Sequence, residues 1–187
     1  MGEGYLGDPE GNKVAFLRAI NVNGRHMIRM AELRSLAGRL GWQEVRTVLQ
    51  TGNVLFRSGD RRVACERALS EAFRTRYQWN IEVMARTESD IESAMKACPL
   101  DPQPGQLCVI FLKEAPAPDR VMALDAKKSE DVWALDGSTI YIRYEQGLHA
   151  SPYSVAYFER HLKVPGTLRN WRTLARIRDA MGSGQDR

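Results

Sequence analysis

Cysteine is scarce in this chain, and long apolar runs are missing from it. The three cysteines, Cys65, Cys98 and Cys108, are odd in number and form no C-x-x-C pair. This excludes a disulfide framework and a zinc ribbon and leaves them as small buried hydrophobes. No apolar stretch approaches the roughly 18 residues of a membrane-spanning helix. The first twelve residues, "MGEGYLGDPEGN", lack a basic segment followed by an apolar one. They read as a flexible lead-in rather than a secretory signal, and a cytoplasmic location is expected. Histidine is also sparse: His26, His149 and His161 lie far apart and outside any H-E-x-x-H spacing, so no metal is expected. There is no G-x-S-x-G elbow, and "NVNGRH" has neither the lysine-serine end of a Walker loop nor the spacing of a dinucleotide loop. No cofactor is expected, and no residue is marked as catalytic.

Acid is missing from two particular stretches. The net charge is +4, yet residues 160–178 carry Arg160, Lys163, Arg169, Arg172, Arg176 and Arg178 with no Asp or Glu. Residues 13–31 carry Lys13, Arg18, Arg25 and Arg29, again without an acid. Such runs favour anionic partners, from a phosphate group to nucleic acid; their alternative use is as solvated faces.

The apolar pattern predicts the elements. Residues 13–20, "KVAFLRAI", read as a strand closed by the polar turn "NVNGRH". Met30, Leu33, Leu36, Ala37 and Leu40 are in helical phase, with Gly41 at the C-cap. Residues 45–50 and 53–58 form a strand pair turning at Thr51 and Gly52. Cys65, Leu69, Ala72 and Phe73 trace a second helix, and "IEVMAR" a fourth strand. The order βαββαβ is the split βαβ of a ferredoxin-like plait, with two helices on one face of an antiparallel sheet and the other face open. A linking helix opens on Thr87 with Asp90 as a capping box.

After the proline-rich "CPLDPQPG" the pattern recurs. "QLCVIFL" is a strand, "APDRVMALDA" a helix, and "DVWALDG" with "TIYIRY" a hairpin turning at Asp136 and Gly137. A helix with Val155, Phe158 and Leu162 in phase follows, entered by Ser151 as N-cap and Pro152. "GTLRN" is a candidate closing strand. The fold class is α+β, two ferredoxin-like halves: lead-in 1–12, first plait with linking helix 13–97, linker 98–105, second plait-like half with C-terminal helix 106–181, and tail 182–187.

The run "AFLRAINVNGRHMIRMAELRSLAGRLGWQEVRTVLQTGNVLFRS" resembles the opening of a bacterial family of unknown function, DUF1697. Its members typically start "LRGINVGG", continue through "M-x-E-L" and "LGF", and reach "QSGNVVF". The later "ERHLKVPGTLRNWRT" is similar to the family's "ER-x-L" helix and "T-x-RNW-x-T". The resemblance implies two α/β plait halves and no established activity, substrate or catalytic residue. Asn23 replaces a family glycine, "HASPYS" lacks a lysine common in members, and Arg172 is added within "RNWRT".

Two constellations are candidate ligand sites. Arg169, Arg172 and Arg176 are read as one basic stripe on the last helix or its entry, with Asn170 as N-cap and Trp171 walling or packing the pocket. Forked guanidinium groups at a helix start suit an anion. The alternative is a capped terminal helix with solvated arginines. The second comprises Arg18, Asn21, Asn23, Gly24 and Arg25 after strand one, with Gln50, Thr51, Gly52 and Asn53 between the paired strands. The backbone demands of tight turns also account for Gly24, Gly52 and Asn53.

The combined expectation is a small anionic ligand held in a groove shared by the halves, either simply bound there or as the substrate of an enzyme whose active site is the groove. RNA is the second reading, with Phe16 and Phe56 as stacking residues on an open sheet, although the signature of RNA-recognition modules is missing. Both rings could equally be core. A homodimer of sheet faces is the third reading; the chain is expected to be a monomer or a homodimer.

Overall fold

The structure, a computed structural model, describes residues 11–22, 24–101, 106–124 and 129–183. In chain order the elements are β1 (Gly11–Leu17), α1 (Met30–Gly38), β2 (Gln43–Thr47), β3 (Asn53–Ser58), α2 (Arg62–Tyr77), β4 (Val83–Thr87) and α3 (Glu88–Lys96). There follow β5 (Leu107–Leu112), α4 (Pro118–Met122), β6 (Val132–Asp136), β7 (Thr139–Arg143), α5 (Val155–Leu162), β8 (Gly166–Asn170) and α6 (Trp171–Gly182). The chain divides into two compact units. One comprises the residues up to Ile91 and those from Ile177 onward, the other Glu92–Arg176. The division falls inside α3 and inside α6.

In the first unit the antiparallel sheet has the order β2-β3-β1-β4. In the second the order is β6-β7-β5-β8, the same arrangement one repeat later. Each unit is therefore a ferredoxin-like plait, and "GTLRN" is its closing strand β8.

Alternation along the strands builds each core. Ala15 and Leu17 of β1, Val54 and Phe56 of β3 and Val83 of β4 share one face. They meet Leu33, Leu36 and Ala37 of α1 and the i, i+4, i+8 stripe Cys65, Leu69, Phe73 of α2. Trp42 stacks on Phe56 with ring centroids 3.7 Å apart. The second core gathers Cys108, Ile110 and Leu112 with Ile140, Ile142, Phe158 and Leu162. Each buried Val, Leu, Ile or Phe side chain among these contributes about 1.5–3 kcal/mol through burial.

The face away from the helices is not open, contrary to expectation. Val14, Phe16, Leu55 and Met84 in the first unit, and Val109, Phe111 and Tyr141 in the second, are all at most 2% exposed. The ends of α3 and α6 reach this face. Asn12 Nδ2 donates to Glu88 Oε2 at 3.0 Å and to the Met181 carbonyl at 3.1 Å, and in the second unit Tyr141 Oη donates to the Ala94 carbonyl at 2.8 Å. With Phe16 buried on this face and Phe56 in the helix-covered core, neither ring is available to stack on a base.

Several local expectations shift. β1 ends at Leu17, because Ala19 and Asn21 take left-handed backbone angles (φ 56° and 54°) that no strand accommodates. β2 lies at Gln43–Thr47 rather than 45–50, with a register shift between Gln43 and Arg46, so residues 48–52 form a wider connection than a tight turn. α1 stops at Gly38, before Gly41 (φ 82°). The cap of α5 is Ser154, whose Oγ accepts from Tyr157 N, while Ser151 Oγ accepts from Tyr153 N in the preceding turn. The capping box of α3 is reciprocal as expected: Thr87 N donates to Asp90 Oδ2 (2.8 Å) and Asp90 N to Thr87 Oγ1 (3.1 Å). The end of the proline-rich stretch, 102–105, lies outside the described residues.

Candidate functional site

In the first unit the connections 18–29 and 48–52 leave the same end of the sheet. Leu17 N donates to the Gly52 carbonyl (2.8 Å), and Arg18 N to the Glu82 carbonyl (2.9 Å). Asn21 ties the two together. Its Oδ1 accepts from Ile28 N at 2.7 Å, and its Nδ2 donates to the carbonyls of Ile28 (3.0 Å) and Gln50 (2.9 Å). One side chain thus closes the long connection on itself and fastens it to the hairpin. Arg25 N donates to the Val22 carbonyl at 3.0 Å, making the tip, and the Arg25 side chain is exposed. Asn23 lies outside the described residues.

The hairpin side is equally constrained. Buried Asn53 donates through Nδ2 to the Val48 carbonyl (2.8 Å) and to Thr51 Oγ1 (3.2 Å), so its side chain serves the turn. Gly52 has φ 75°, and a Cβ there would lie 2.9 Å from Leu17 Cβ, which excludes any side chain. Turn geometry alone therefore accounts for Asn53 and Gly52. It does not account for Ala19, His26 and Leu49, non-glycine residues held at φ 56°, 48° and 59°. Left-handed backbone costs such residues roughly 1–2 kcal/mol each.

Between the two connections lies a cavity of about 370 Å³ lined by Asn21, Met27, Ile28, Arg29, Met30 and Gln50. Its lining has one charge, the Arg29 guanidinium, and no carboxylate. The cavity abuts the start of α1, where Arg29 occupies the N-cap position without a side-chain capping bond. Arginine can only donate, so it cannot serve the first backbone N–H groups of the helix. The acid in that first turn, Glu32, accepts a hydrogen bond from Tyr77 Oη at 2.6 Å. Burial and this carboxylate together push the Tyr77 phenol up.

The constellation at the end of β8 is arranged differently from the expected stripe. Arg169 is a strand residue, 8% exposed, and its Nη1 donates to Thr167 Oγ1 (2.9 Å) and to the Leu168 carbonyl (2.7 Å). Burial lowers its guanidinium pKa to about 10. It therefore does not share a helix face with Arg172 and Arg176, which are exposed on α6. The reason is the strand itself: "GTLRN" pairs with β5, placing Arg169 opposite Val109. Asn170 is exposed and caps α6, accepting from Thr173 N at 2.7 Å, and Trp171 is half-buried. Arg86 is a further buried cation, lowered to about 10 by burial first and by Arg62 second.

The structure thus brings Asn21, Gln50 and Asn53 together at one end of the first plait. Arg18 and Arg25 stand on the same connection, and Arg169 is separated from the helix face of Arg172. Sequence reasoning missed Met27, Ile28, Arg29 and Met30 as lining residues. One signal for them was present: a helix start preceded by arginine, where Ser, Thr, Asp or Asn would cap it. Among the described residues no group of three or more His, Cys, Asp or Glu side chains gathers as a metal site requires, and no helix is long and apolar enough to cross a membrane.

Comparison with known proteins gives a family and a fold. No curated protein matches the chain. Among solved structures it is similar to the conserved bacterial protein SP0830 from Streptococcus pneumoniae, with a TM-score of 0.68 and 22% identity over 91% of this chain and 98% of that one. At that identity the likeness speaks for the fold alone. The model of a family described as protein of unknown function (DUF1697) matches residues 11–141, which include both connections of the candidate site. The chain accordingly belongs to the DUF1697 family.

Proposed function

We propose that this protein binds a small anionic ligand, bearing a phosphate or carboxylate, in the first unit's cavity between connections 18–29 and 48–52. The observation that carries this reading is the composition of the lining: one guanidinium, two side-chain amides, apolar side chains and no carboxylate. The uncapped start of α1 adds partial positive charge on the same side. Asn21 keeps the two connections in register, so the polar groups are positioned before a ligand arrives. Preorganisation of this kind reduces the ordering cost of binding. The reading assigns binding and no reaction.

The test is calorimetric titration with inorganic phosphate and acetate. Saturable binding of about millimolar strength is expected. Arg29→Gln should abolish it, and Arg172→Ala, at the α6 start favoured by the sequence, should leave it unchanged. Binding lost on Arg172→Ala and kept on Arg29→Gln would move the site to α6, and no binding of either anion would reject the proposal.

A further inference from the structure

Three of the exposed large apolar side chains fall on the two connections that Asn21 ties together: Val22 (46% exposed), Met27 (61%) and Leu49 (42%). The others, Val63, Met122, Val132 and Leu148, sit singly on α2, α4, β6 and the approach to α5. Solitary exposed hydrophobes are ordinary, whereas a group beside a cavity marks a contact site.

Leu49 sharpens the point. It is held at φ 59°, where glycine or asparagine would meet the needs of the turn without strain. The equivalent hairpin of the second unit uses Gly137 at φ 53°. Keeping an outward leucine in left-handed backbone serves something other than the turn, and strain of this kind gathers at functional sites. Met27 lines the cavity itself, and Leu49 and Val22 are chain neighbours of the lining residues Gln50 and Asn21. Arg25 and Arg29 are exposed beside them, and neither residues 13–31 nor 45–59 contain an acid. Exposed cations and exposed apolar side chains therefore stand on the same two connections.

We infer that the ligand of this cavity is a single-chain anionic amphiphile, its phosphate or carboxylate head at Arg29 and its alkyl chain along Met27 and Leu49. The inference rests on the anion reading of the same cavity and adds the apolar half of the ligand. The head is satisfied by the Arg29 guanidinium and the Gln50 side-chain amide, the Asn21 amide already donating to the Ile28 and Gln50 carbonyls, and the chain removes the exposed methionine and leucine from water. An exposed flexible methionine suits such a role, because an unbranched thioether adapts to chains of different length.

The experiment compares inorganic phosphate with dodecyl phosphate kept below its micelle concentration, both by calorimetry on the full chain. Dodecyl phosphate should bind at least about a hundredfold more tightly, since burying only a few methylenes suffices for that ratio. Leu49→Ser and Met27→Ser, neither of which adds charge, should each cost about tenfold for dodecyl phosphate, and Leu49→Ser, outside the cavity lining, should leave inorganic phosphate unchanged. Both positions are exposed, and unchanged melting curves would show that the fold is kept. Arg29→Gln should weaken both ligands.

Equal affinity for the two phosphates would overturn the amphiphile and leave the anion site standing. No binding of either, or binding indifferent to Arg29→Gln, would remove both. Sedimentation with phosphatidylcholine vesicles containing phosphatidylglycerol is the second arm. Capture by these vesicles without binding of monomeric dodecyl phosphate would assign the surface to a bilayer and reject a single-chain ligand.

Discussion

The two plaits close the same end of the sheet with the same hydrogen bonds and very different amounts of chain. Leu17 N reaches the Gly52 carbonyl in the first unit and Leu112 N the Ser138 carbonyl in the second, each at 2.8 Å. Arg18 N reaches the Glu82 carbonyl, and Lys113 N the Pro165 carbonyl, each at 2.9 Å. In the second unit only residues 113–117 lead from β5 to α4, and Gly137 with Ser138 alone joins β6 to β7. In the first, residues 18–29 and 48–52 do the same work. A ferredoxin-like plait therefore needs neither the longer connection nor its strained residues. Chain that the fold does not require, ordered by one half-buried amide and kept in costly backbone conformations, is where function is most economically sought.

Substitutions in the connections of the two units break or sharpen this contrast. The largest effect is expected at Gly52→Ala. Its φ of 75° and a Cβ 2.9 Å from Leu17 Cβ and 3.3 Å from Ile20 Cβ combine strain with overpacking, for a loss of about 2–5 kcal/mol in urea unfolding. Asn21→Ala comes next, at about 2–3 kcal/mol. It leaves Ile28 N without its acceptor and places alanine at φ 54°. Asn21→Gly separates the two causes, since it relieves the backbone and still loses the amide.

Gly137→Ala, at the positive-φ glycine of the second unit's hairpin, one residue before the Ser138 that matches Gly52, should cost only about 1 kcal/mol, because its φ of 53° is unfavourable but nothing lies within 4 Å of the added Cβ. A loss there equal to that at Gly52 would mean that the two hairpins are equally constrained and would undo the contrast. The smallest effect is a gain. Ala19 sits at φ 56°. Ala19→Gly should raise stability by about 0.5 kcal/mol, the relief of strain exceeding the added freedom of the unfolded chain. A lower unfolding midpoint would show that the alanine methyl makes a contact worth more than its strain.

Much of the architecture was legible along the chain because it rests on periodicity. The stripe Cys65, Leu69, Phe73 and the alternation through 53–58 could be satisfied only by a helix and a strand packed on each other. Capping was legible where the cap is a side chain acting on its own helix, as with Thr87 and Asp90 or Asn170. It misled at Ser151, because Ser154 three residues later offers the same chemistry nearer the apolar phase. Arg169 was misjudged for a related reason: a strand ending directly in a helix lets the 3.6-residue period of α6 be extended backwards into β8, where it has no meaning.

The sequence by itself determined the two plaits, their strand and helix order and the family, since apolar period and separated motifs are local properties that survive without knowledge of contacts. It also singled out Asn21 and Gln50 as polar residues at turns. Only the tertiary structure decided that they meet, that Arg29 and Met27 complete a cavity with them, and that the sheet faces expected to be open are buried. Those facts depend on pairs distant in sequence, such as Asn21 with Gln50 or Asn12 with Met181, whose bonds exist only after the sheet has set the distance between them.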